Sequence, residues 1–189
     1  MTTYCETFDD APGGWYGYRD GPGQDMQGLE WVPDQLTSRS PWWIDYNHAP
    51  PGAGYFHMLF ILNTFGPQSE GVNDAGGANR FIAGGFPTDF TGARITTRSR
   101  GELHAQGANM CVLLQGTVDG ITSGWVQTGD TFSVTENWSE QTVTLDPDPA
   151  GWTALGSRHD RTDMYGVKPL EKVLGHADVN IMFLLLQMV

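Results

Sequence analysis

Cationic side chains are scarce in this 189-residue chain: 10 Lys and Arg face 22 Asp and Glu, for a formal charge of −12. Binding to phosphate backbones and anionic membranes draws on counterion release, so nucleic acid and membrane surfaces are not expected partners. Cysteine is scarcer still. Cys5 and Cys111 make no disulfide framework, and Cys111, inside the apolar run NMCVLLQG, reads as a small buried hydrophobe. The longest apolar run, residues 181–186, is far too short to span a bilayer. The opening MTTYCETFDD lacks the basic stretch, apolar core and small-residue cleavage site of a secretory signal, which leaves the cytoplasm as the default expectation. No repeat of solenoid or propeller length is visible. The histidines at 48, 57, 104, 159 and 176 fall into no paired ligand spacing. Without a nucleophile elbow, a phosphate-cradling loop or a dinucleotide fingerprint, no organic cofactor is expected.

What the chain does contain is 25 Gly, 11 Pro and 12% aromatic residues within a 39% hydrophobic composition. That is enough apolar material for one core over residues 1–189, divided by many turns. The expected strands are 55–63, apolar on both parities, then 93–100, 109–116, 125–127, 131–135, 141–145 and 179–187. Helix is expected only at 168–174, before Gly175. Residues 9–54 show little periodicity and read as a long aromatic-rich loop. The fold class that follows is an all-β, two-sheet antiparallel sandwich with at most one short helix.

From Phe86 onward the features fall in a familiar order: PTDFTGARITTRSRGE, then NMCVLLQG, then GWVQTGDTFSVTENWSEQTVTL, then HADVNIMFLLLQ, with TFDDAPGGW at the front. This order resembles the galactose-binding-like jelly roll, and within it the CIA30-type domains and carbohydrate-binding modules such as family 11. The resemblance covers roughly residues 80–189 and the first fifteen. It implies a jelly-roll sandwich that binds glycans on one concave sheet or its edge loops, often with a structural calcium, for which Glu6, Asp9 or Asp10 would meet Asp178. The likeness to CIA30 proteins implies instead an assembly subunit that docks on protein or on further copies of itself.

Three groups of residues could carry chemistry. Trp42, Trp43 and Tyr46 could stack on sugar rings while Asp45, Asn47 and His48 hydrogen-bond the hydroxyls, although tryptophans of a small domain are as often core plugs. Arg94, Arg98 and Arg100 alternate onto one strand face, where they could fork onto hydroxyls or a carboxylate, or pair with acids such as Glu140. Gln115 would join them if its strand is adjacent. In GSRHDRTDMYG, His159 beside Asp160 could act as a general base and Tyr165 as a proton donor, the chemistry of a polysaccharide lyase, against the plainer outcome of a local ion-pair network. The expected function is therefore carbohydrate binding, with a lyase or glycoside hydrolase as the alternative and a structural subunit behind both.

Overall fold

The structure, a computed structural model, describes residues 2–18, 26–39, 43–45, 55–104, 107–155 and 163–187; side chains at 26, 27, 43–45, 55, 56 and 187 fall outside that description. Its elements in chain order are β1 (Trp15–Tyr18), β2 (Met26–Gln27), β3 (Glu30–Val32), β4 (Gln35–Thr37), β5 (Trp43–Asp45), β6 (Tyr55–Asn63), α1 (Glu70–Gly76), α2 (Arg80–Ala83), β7 (Arg94–Ser99), β8 (Ala108–Val118), β9 (Ile121–Phe132), β10 (Ser139–Thr144), β11 (Trp152–Leu155), α3 (Leu170–Leu174) and β12 (Asn180–Gln187). Every strand pairing is antiparallel. The large sheet runs β11-β9-β8-β12-β6-β1-β2, with β5 also on β6, while β7 and β10 form a separate pair, as do β3 and β4.

The two layers are an all-β sandwich. One face of the large sheet carries Leu62, Ile181, Leu114 and Val112, and these meet Val143 and Leu145, from the end of β10 and just beyond it, together with Ile95 of β7 in the main core. Leu170 and Leu174 of α3 and Phe81 of α2 close the ends of that core. The opposite face holds a second apolar cluster, with Ile61, Met182, Leu113 and Val126 in adjacent strand registers, joined by Val72 and Ala75 of α1. A central sheet apolar on both faces explains why β6, β8 and β12 show continuous hydrophobic runs and little alternation.

Several elements differ from expectation. The described part of residues 9–54 contains five strands, each two to four residues long; an element that short presents too few positions to display a period. Among the described residues there are three α-helices where a single one was expected. The loop before Arg80 winds into α1 and α2 because Ser69 and Asn79 each accept a backbone N–H of the first turn, from Val72 and Ile82. The stretches at 125–127 and 131–135 belong mostly to one strand, β9. It folds back on β8 through Asp119 and Gly120, with φ of 50° and 76°, a two-residue turn suited to the twist of a hairpin. Among the described residues no helix is long and apolar enough to cross a membrane.

Candidate functional site

The sandwich has two outer faces, and each gathers polar side chains. On the large sheet, the face turned away from β7 and β10 bears Asn63, Asn180 and Gln115 side by side on β6, β12 and β8. The rows beneath them are buried and apolar, so this amide row marks the polar end of the second core cluster. Gln115 continues it toward β9, where the facing position is Gly124 and the Gln115 amide lies within ordinary contact distance of where a Cβ there would stand. One row further, Thr117 faces Thr122, and Tyr165 bridges to Thr122 from the far edge.

Hydrogen bonding within this row is incomplete. The Tyr16 hydroxyl donates to Asn63 Oδ1 at 3.0 Å. Asn180 is only 7% exposed, and its Oδ1 is buried with no donor among the described residues. Such an acceptor costs about 1–3 kcal/mol unless a donor from outside the protein reaches it. Tyr16 also packs edge-on against Tyr18, and burial pushes both phenols above their ordinary range, with Tyr165 adding to the rise at Tyr18.

The turn before β12 positions the row. Gly116 lets the His176 carbonyl ride directly against β8, where any Cβ would collide with it. Asp178 then accepts the Thr117 N–H at 2.7 Å, and Val179 donates its N–H to the Gln115 carbonyl at 3.1 Å. These bonds fix where β12 enters the sheet, and with it Asn180.

The second outer face belongs to β7 and β10. Strand alternation exposes Arg94, Thr96 and Arg98 on β7 and Glu140, Thr142 and Thr144 on β10, while Ile95 and Val143 turn inward. The Thr96 and Thr142 hydroxyls lie 2.7 Å apart. Just beyond the paired residues, Trp138 is 41% exposed, and its ring lies under Arg98 and Arg100, whose Cζ atoms are 5.1 and 4.9 Å from the ring centroid. Gln115 does not join these arginines. Its strand lies between β12 and β9, and its side chain is on the other side of the molecule.

The remaining candidate residues fall into separate places. Trp42, Tyr46, His48, His159 and Asp160 lie outside the described residues; Trp43 is in β5, in register with His57, and its side chain also falls outside. Among tryptophans with described side chains, Trp15 and Trp152 are buried, and Trp31 and Trp125 donate their indole N–H groups to backbone carbonyls. Glu6, Asp9 and Asp178 do not converge. Glu6 is held by Tyr4, the Phe8 N–H and Arg80; Asp9 accepts from Thr7 and sits beside Asp34; Asp178 is engaged by Thr117 and His176. Among the described residues no group of three or more such side chains could hold a metal ion.

Compared with protein-family models, curated proteins and solved structures, the chain matches none.

Proposed function

We propose that the chain binds carbohydrate at one end of the large sheet, with Asn63, Asn180 and Gln115 as the hydroxyl-recognising row. The observation that carries this proposal is the Asn180 Oδ1 with no donor among the described residues, between the part-exposed Asn63 and Gln115 at the end of the buried apolar cluster. A sugar hydroxyl both donates and accepts, and a side-chain amide offers both functions at one planar edge. The net charge of −12 directs this face to neutral glycans.

Affinity electrophoresis through gels containing neutral polysaccharides, followed by calorimetry on oligosaccharides of the retained one, tests the proposal. Gln115→Ala and Asn63→Ala should each weaken binding by about tenfold, the scale of one or two lost hydrogen bonds. Unchanged affinity in both variants, or retention by no neutral glycan, would overturn it. Tyr165 on the same face favours a second reading, an enzyme that cleaves the bound polymer; release of reducing ends or unsaturated products would identify it.

A further inference from the structure

The face formed by β7 and β10 gathers three arginines that form no ion pair among the described residues. Elsewhere among those residues Arg39 pairs with Glu30, Arg80 with Glu6 and Asp10, and Lys168 with Asp119, and Lys172 stands singly on α3. Arg94, Arg98 and Arg100 form no ion pair among the described residues, in a chain that holds 22 acids. Strand register sets Glu140 opposite Arg98, yet the two carboxylate and guanidinium groups do not meet within ion-pair distance. Arg98 and Arg100 lie against Trp138 instead. A guanidinium stacked on an aromatic ring keeps its in-plane N–H groups free, and the stacking holds the fork in one orientation.

We infer that this face is a second recognition surface, distinct from the amide row, and that its ligand is a polyuronate: a polysaccharide whose carboxylates are spaced among hydroxyls. The forked donors of Arg94, Arg98 and Arg100 match carboxylates. Arg98 and Arg100 are alternate strand positions, about 7 Å apart along the strand, with Arg94 twice as far again on the other side of Arg98. They form a line suited to an extended polymer. The paired Thr96 and Thr142 hydroxyls stand between Arg94 and Arg98 and suit sugar hydroxyls. Glu140 in the centre, with Glu102 and Glu136 flanking the far end, disfavours a densely charged chain such as a sulfated glycan or nucleic acid. A hydroxyl-rich uronate meets that carboxylate as a hydrogen-bond acceptor.

The probe is polygalacturonate, with its methyl-esterified form as the neutral twin and heparin and single-stranded DNA as dense polyanions, all in affinity electrophoresis. The intact chain should be retarded by polygalacturonate, less so with rising salt. Arg98→Gln with Arg100→Gln should weaken retardation by about tenfold or more, as should esterification. Lys172→Gln, which removes one exposed cation on α3, should leave it unchanged. Absence of retardation, equal retardation by the esterified polymer, equal retardation by heparin or DNA, or loss in Lys172→Gln matching that in the double variant would each overturn the inference. Those outcomes are independent of whether the amide row binds neutral glycans.

Discussion

Nη1 of Arg80, at the start of α2, lies 2.9 Å from Oε1 of Glu6, 74 residues earlier in the chain. Glu6 is almost fully buried, and it also accepts the Tyr4 hydroxyl at 3.0 Å and the Phe8 N–H at 3.2 Å. One carboxylate thus ties the N-terminal segment to the helix that closes the core.

Glu6→Ala leaves a phenol, a backbone N–H and a guanidinium without their acceptor. The expected loss of stability is roughly 2–3 kcal/mol, read from urea unfolding, because a hydrogen bond to a charged group is worth more than a neutral one. A loss no larger than that of an exposed Glu102→Ala control would show that the network contributes nothing.

Asp10 and Asp34 should respond to pH with opposite sign. The Arg80 guanidinium hydrogen-bonds Asp10 and attracts it, holding its carboxyl below the usual range. Its stabilisation is complete above the unfolded-state value and disappears as pH falls through the lowered one. Asp34 is held above the usual range by its hydrogen bond with Asp9. The folded state therefore binds the Asp34 proton more tightly than the unfolded state does, and stability falls as pH rises from the ordinary value through the raised one. At neutral pH, Asp10→Asn should lower the melting temperature and Asp34→Asn should raise it. The Asp34 difference should vanish below the ordinary carboxylate range, and the Asp10 difference only at still lower pH, below its lowered value. Shifts of the same sign at neutral pH would contradict this account.

Cys111 is fully buried, and burial pushes its thiol up to about 12, whereas Cys5 is exposed. A thiol-specific chromogenic reagent at about pH 8 should titrate Cys5 alone in the folded protein and both cysteines in denaturant. Rapid reaction of both in native conditions would mean that the central sheet opens readily at β8.

How far the sequence could be read depended on the range of the interactions involved. The strand 55–63 and the inward–outward alternation around Arg94 to Arg100 were legible because they are local patterns, and β6 and β7 reproduce them. The amide row was not, because Asn63, Gln115 and Asn180 come from three distant stretches and meet only through register. Trp138 was hidden in ENWSE, which reads as a separator between strands. Carrying the exposed alternation of Thr144, Thr142 and Glu140 back by one more step would have reached it. The hairpin turn was equally open to view in Val118-Asp119-Gly120-Ile121, where Asp-Gly between apolar residues is a strong signal. The pairing of Glu6 with Arg80 was not legible either, because a sequence shows the acid but not the arginine 74 residues on that reaches it.

The place of β12 also bears on how the molecule assembles. It lies between β8 and β6, although both of those strands are made long before residue 180 leaves the ribosome. Until then a nascent chain holds two half-sheets, β11-β9-β8 and β6 with β1, β2 and β5, each ending in an unsatisfied apolar edge. Such edges invite pairing with another chain. Insertion of β12 joins the halves, so the interval before it arrives is when a partly synthesised copy most needs protection from its neighbours.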